Sequence, residues 1–451
     1  MIRQLAEQLR KGETSCVELV ETAIDALKRD KLNAVITLME EHAIETAMER
    51  DKELAAGVDR GMLHGIPLAH KDLFCTRGVR TTAGSLLYRE FVPSCNATVI
   101  DKLDAAGAIT IAKLNLHELA YGITSKNPHY GFIRNPHDQE RIPGGSSGGS
   151  AALVAVGAIA LSLGTDTGGS IRIPASYCGV VGLKPTYGRV SRRGVLPLAT
   201  GLDHVGPIVA SVEDCALAMN VIAGNDPQDQ TSANRAVPNF TLPPLKSLAG
   251  IRIGVPQNFF FDSVQEEVGV AIHRAAQEAG RLGAEVKELS VLDFNEVNMA
   301  ARVIQMAEVA ALYAGCNDSS LFSRDVWALI QQGRMIAGHE YVNAQRLRTV
   351  FRHEMNALWS QVDLLFSPTT PITAPLIEES MVTINGRPED VRMASTRLVR
   401  GLNFLGEPAL SMPCGRTAQG LPIGLQIIGP PFTEPQLLQA ARTLETSITG
   451  A

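Results

Sequence analysis

At 451 residues, with 45% hydrophobic and 20% charged side chains, the chain has ample material for a packed core and none of the bias of a disordered or fibrous protein. A formal net charge of −6 removes any electrostatic case for nucleic acid or an anionic membrane as a partner. The seven cysteines are dispersed without a CxxC pair, which suits a reducing compartment.

In chain order, Ser15-Cys16-Val17-Glu18 fits a helix capping box, and Val17, Val20, Ala23, Ile24 and Leu27 follow at helical spacing. The N-terminus shows no signal-peptide apolar core, so the protein is expected in the cytoplasm. A helix is predicted over 97–106, stopped by Gly107, and a strand over 108–112. The apolar stretch 151–163 falls short of the roughly 20 residues that cross a bilayer. Its first part, 151–158, reads as a small-residue helix and 159–163 as a buried strand. Farther on, strands are predicted at 251–255, 284–289, 364–366, 409–412 and 423–428. Helices are predicted at 264–282, 297–314, 325–337, 341–359 and 434–444. This alternation predicts an α/β fold, a mixed or mostly parallel central sheet between helices. The proline-rich patches 238–244 and 368–375 read as loops rather than linkers.

Two serine-bearing glycine clusters dominate the chemistry: Gly144-Gly145-Ser146-Ser147-Gly148-Gly149-Ser150 and Thr165-Asp166-Thr167-Gly168-Gly169-Ser170. Upstream stands a lysine, in Gly65-Ile66-Pro67-Leu68-Ala69-His70-Lys71-Asp72. Glycine backbone lets N–H donors approach a ligand closely, and two hydroxyls with one amine supply a nucleophile and its base. Burial of Lys71 between apolar neighbours would lower its pKa and free its lone pair. The G-x-S-x-G elbow pattern is satisfied by Ser147, but loop rather than strand precedes it. The first cluster lacks the Gly-Lys-Ser/Thr ending of a phosphate-binding loop. His117-Glu118-Leu119-Ala120-Tyr121 begins like H-E-x-x-H and ends in tyrosine, so no metal site is expected. Asp203-His204 reads as a turn beside a structural histidine, and His70 as a packing residue.

Taken together, these residues resemble the amidase signature family over about Gly65 to Pro207, most specifically in 144–150 and 164–174 and also in Cys178-Gly179-Val180-Val181-Gly182-Leu183-Lys184-Pro185-Thr186, and more weakly in the C-terminal 403–415 and 424–429 stretches. The resemblance implies one α/β/α sandwich domain over 1–451, with a mixed central β-sheet covered by helices, a signature core about 65–207 and variable substrate-rim helices about 293–360. It implies a Ser-cisSer-Lys triad of Ser170 as nucleophile, Ser146 as bridging serine in a cis peptide, and Lys71 as base. It also implies an oxyanion hole from the N–H groups of Thr167, Gly168, Gly169 and Ser170. Ala120, Tyr121 and Gly122 are expected along the acyl pocket. Asp166 and Arg172 are expected to brace the loop, with Arg172 a second contact to an anionic substrate. No metal and no organic cofactor are expected.

The expected activity is hydrolysis of small-molecule amides through an acyl-enzyme on Ser170, with carbamates (urethanes) and aryl esters tolerated. Alternatives are a main activity on carbamates, or on urea derivatives of the biuret or allophanate kind, for which Arg392, Arg397 or Arg400 offers an anchor. A further alternative is the amidase subunit of a glutamine-dependent tRNA amidotransferase. That pattern carries an acid ahead of the Asn-Leu-Ala-Gly stretch. Here the stretch is Asn403-Phe404-Leu405-Gly406 and the acid's position holds Thr396. The expected partner is the small-molecule substrate, with a homodimer as one option for assembly. Met306, Leu312, Leu321, Trp327, Leu329 and Met335 read as core packing rather than an apolar pocket wall.

Overall fold

A computed structural model describes residues 1–449. Eleven strands build one sheet: β1 (Val35–Leu38), β2 (Pro67–Lys71), β3 (Ile109–Leu114), β4 (Leu161–Asp166), β5 (Val181–Lys184), β6 (His204–Val209), β7 (Arg252–Pro256), β8 (Glu285–Leu289), β9 (Leu364–Pro368), β10 (Ala409–Arg416) and β11 (Pro422–Ile428). Their spatial order is β1-β3-β2-β4-β6-β5-β10-β11-β9-β7-β8. The pairs β2–β3, β2–β4, β7–β8 and β7–β9 are parallel, and the others are antiparallel. The sheet is therefore mixed, helices cover it, and the fold is α/β as the sequence predicts. Among the described residues, no helix is long and apolar enough to cross a membrane.

Local rules account for much of this. Ser15 caps the helix Cys16–Lys28 by accepting the Glu18 N–H, and the Glu18 carboxylate accepts the Ser15 N–H in return. The helix expected from 97 runs Thr98–Ala105 into β3. The helix expected at 151–158 begins earlier, as Gly148–Ala155, inside the first glycine cluster. Its first turn lies against backbone: a Cβ on Gly149 would stand 2.5 Å from the Asn115 carbonyl oxygen and 2.8 Å from that of Ala34. The glycines that look like loop are therefore the packing surface of a helix end.

Strands β5 and β6 and the helix Arg172–Cys178 had no local signal in the sequence. All three are buried on every side, so neither an alternating nor a helical pattern marks them.

The helices Phe294–Leu312 and Arg324–Arg334 pack together. Val309, Tyr313, Phe322, Val326, Leu329 and Ile330 form a buried cluster with Leu73, Ala120 and Tyr121. Core packing is thus the role of Leu329, whereas Met335 is 82% exposed and walls nothing. This cluster fixes the segment 119–121 against the end of β2.

Candidate active site

Strands β2 and β4 run side by side and parallel, and both end at the same edge, where α/β sheets place their ligands. Lys71 is the last residue of β2, and Thr165 and Asp166 are the last two of β4. The fully buried Lys71 Nζ donates to Ser146 Oγ at 2.7 Å and to Thr165 Oγ1 at 2.7 Å. Burial lowers the Lys71 ammonium from its ordinary value to about 7, while Asp166 and Asp203 act in the opposite direction. A neutral amine able to take a proton is therefore accessible near neutral pH. Next to it, Asp72 forms a buried ion pair with Lys113 at 2.9 Å and accepts the Thr82 N–H at 2.8 Å, which holds the chain as it leaves β2.

Ser146 follows a cis Gly145–Ser146 peptide. Its carbonyl accepts the His117 N–H at 3.1 Å, and the Ser147 N–H donates to the Ser170 carbonyl at 3.2 Å. The two glycine clusters are thus stitched together, with Ser146 completely buried and Ser170 facing a cavity.

The loop between β4 and Ser170 is wound around the Asp166 carboxylate. Its two oxygens accept the N–H groups of Gly169 (2.7 Å), Ile171 (3.1 Å) and Arg172 (3.4 Å). Among the described residues, those of Thr167, Gly168 and Ser170 have no protein acceptor. Of the four expected oxyanion donors, Gly169 is thus already engaged by Asp166. Gly169 has φ +116°, and a Cβ there would meet Val399 at 2.4 Å, so only glycine fits. Thr167 is steadied from its side chain, which donates to Asp203 at 2.6 Å.

Arg172 is not part of the cavity at Ser170. Its guanidinium is fully buried and grips Asp166 through Nε and Nη2, each at 3.0 Å, and also donates to Gln426 (2.8 Å), the Val399 carbonyl (3.0 Å) and Asn403 (2.7 Å). Every guanidinium nitrogen is engaged within the protein and the residue does not line the cavity at Ser170, so it serves as the loop brace. Burial by itself would raise the Asp166 pKa; Arg172, Lys184 and Asn403 outweigh it and hold the carboxyl well below the usual range. Removing one member of such a pair strands the other charge. Arg172→Ala is therefore expected to lower unfolding free energy by about 3–5 kcal/mol in urea titrations, with activity lost alongside.

Ala120, Tyr121 and Gly122 line a small cavity of about 20 Å³ together with Ser170 and Gly168. Gln305, Arg392, Thr396 and Arg400 close its other side. A larger cavity of about 300 Å³ touches Ala120, Thr165, Thr167 and Asp203 on the opposite flank of the loop. Thr165, as second partner of Lys71, and Asp203, as anchor of Thr167, were invisible to sequence reasoning. Each acts through contacts between residues far apart in the chain.

Comparison with known proteins identifies the family. The amidase family model matches residues 18–438. A glutamyl-tRNA(Gln) amidotransferase component from Cyanothece sp. (strain PCC 7425) is 39% identical, over 98% of this chain and 97% of its own. The solved structure of a vestigial protein complex that reveals the evolutionary origins of an s-triazine catabolic enzyme superposes with a TM-score of 0.94 at 37% identity, covering 98% of each chain. The native peptide amidase from Stenotrophomonas maltophilia gives a TM-score of 0.86 at 31% identity, over 99% of this chain and 96% of that one. With the match spanning nearly the whole chain and the lysine and serines drawn together at one sheet edge, the protein belongs to the amidase signature family.

Proposed function

We propose that this protein is a serine amidohydrolase of small-molecule amides, with Ser170 as nucleophile, Ser146 as proton relay and Lys71 as base. The observation that carries this reading is the buried Lys71 amine, hydrogen-bonded to Ser146 and depressed to about 7. In the first half-reaction Ser170 Oγ bonds to the amide carbon, and its proton passes through Ser146 to Lys71. The developing oxyanion meets the N–H groups of Thr167, Gly168 and Ser170. The C–N bond then breaks as the proton returns to the departing amine. Water adds to the acyl-enzyme by the same proton path and releases the acid. Carbamates and aryl esters present a similar carbonyl and are included as secondary substrates.

The acid limb of kcat/KM is expected near pH 7. Below it Lys71 carries a proton and cannot act as base, so activity falls about tenfold per pH unit; above it activity is flat until another group titrates. A profile unchanged down to pH 5 would remove lysine as the base.

A second reading, the amidase component of an amidotransferase, is favoured by the names of curated relatives at 39% identity. Glutamine, however, carries an α-ammonium as well as an α-carboxylate. The cavity at Ser170 has two arginines and no acid, and Thr396 stands where the amidotransferase pattern has its acid. The discriminating experiment presents one chromogenic aryl group as anilide, carbamate and ester, with glutamine as a fourth substrate and Ser170→Ala as control. Anilide turnover by the lone chain, without glutaminase activity, supports the small-molecule reading. Glutamine hydrolysis, or silence that a partner chain relieves, supports the amidotransferase reading.

A further inference from the structure

Two arginines, Arg392 and Arg400, line the cavity at Ser170, Arg302 lies near enough for its charge to act on both, and among the described residues none of the three has an ion-pair partner. Arg400 is the central one. It is only 5% exposed, and its Nε is buried with no hydrogen-bond partner. Burial pushes its pKa down to about 9, and the neighbouring charges of Arg392 and Arg302 push the same way. Arg392 lies over the Tyr121 ring, 5.5 Å from its centroid, and lines the same cavity. Arg302 reaches only the Met393 sulfur, at 3.8 Å, from the open groove of about 280 Å³ that shares Arg400 as a wall.

A buried guanidinium next to two others costs stability unless an anion offsets it. The other two arginines discussed above each have a carboxylate. Arg172 has Asp166, and Arg397, the third anchor offered by the sequence, donates to the Ser263 carbonyl and lies 3.8 Å from Glu389. Of the three anchors offered by the sequence, Arg400 and Arg392 are left for a ligand at the reacting serine.

Resting on the amidase reading above, we infer that the acyl part of the substrate carries a carboxylate, bound by Arg400 with Arg392 beside it. The spacing sets its length. The Arg400 Cγ and Nε both lie 3.7 Å from where a Cβ on Gly168 would project. A carboxylate hydrogen-bonded to that guanidinium therefore sits close to the loop that carries the Gly168 N–H, which favours a short acyl chain. The cavity at Ser170 is itself small, about 20 Å³, and the groove of about 280 Å³ that shares Arg400 supplies the room beside it. Half-amides of short dicarboxylic acids and N-carboxylated ureas belong to this class; simple neutral amides do not.

The test pairs malonamate with malonamide and succinamate with succinamide. The carboxylate member is expected to have kcat/KM ~100-fold higher, with the difference mainly in KM. Arg400→Met should shrink that ratio to ~10-fold or less, and Arg400→Lys should restore part of it, since the charge returns without the fork. Binding is read separately in the Ser170→Ala protein, by calorimetry with malonate and succinate. Dicarboxylate binding that Arg400→Met abolishes supports the inference even if no amide turns over. Turnover without carboxylate preference, a preference that Arg400→Met leaves intact, or no dicarboxylate binding at millimolar concentration overturns it. Loss of all turnover with dicarboxylate binding retained counts instead against Ser170 chemistry.

Discussion

Ser170→Ala is expected to lower kcat by roughly four to six orders of magnitude while leaving the folded state unchanged. The size of the effect follows from what Ser170 alone supplies. It is the one hydroxyl of the second glycine cluster that lines the small cavity, on a loop held by three N–H bonds to Asp166. Removing the oxygen leaves the oxyanion donors and the pocket in place but no atom to form the acyl bond. The fold should be indifferent, because Ser170 contributes its carbonyl, not its hydroxyl, to the bond with the Ser147 N–H. A variant with an unchanged thermal midpoint and turnover within tenfold of wild type would remove Ser170 from the mechanism.

Lys71→Ala is expected to cost nearly as much, roughly three to five orders of magnitude in kcat, because the buried amine is both base and organiser. Its Nζ joins two hydroxyls from different segments, Ser146 and Thr165. Without it, neither is held and no neutral base remains within reach of Ser146. Unlike Ser170→Ala, this change also opens a void around two unpaired buried hydroxyls, so a lower thermal midpoint should accompany it. Lys71→Met fills most of that space. If Lys71→Met were stable and retained more than a tenth of wild-type activity, the lysine would be structural only.

How much of this was readable from the chain depends on the range over which each signal acts. The Ser15–Glu18 box predicted a helix start because both partners lie within one turn. The serines and glycines of the two clusters were legible as chemistry because their spacing is unusual within a short stretch. Thr165 carried no such mark. Its contact with Lys71 exists only because β2 and β4 lie parallel in register, a pairing that spans nearly a hundred positions. The arginines show the same limit. The sequence offered Arg392, Arg397 and Arg400 as equivalent anchors; Arg397 lies by Glu389 and Arg400 by Gly168. Likewise Arg172 reads from the chain as both brace and substrate contact, and its five hydrogen bonds leave it as brace. Strands β5 and β6 escaped notice because both faces are buried, which erases the alternation that reveals half-exposed strands.

The mechanism requires a covalent acyl group on Ser170, which can be trapped. The wild-type chain is mixed with an aryl ester, quenched in acid within the first turnover and mapped by peptide mass spectrometry. One acyl mass increment is expected, confined to the peptide carrying Ser170 and absent from Ser170→Ala. An increment on Ser146 or Ser147 instead, or a burst of released phenol with Ser170 unmodified, would contradict it.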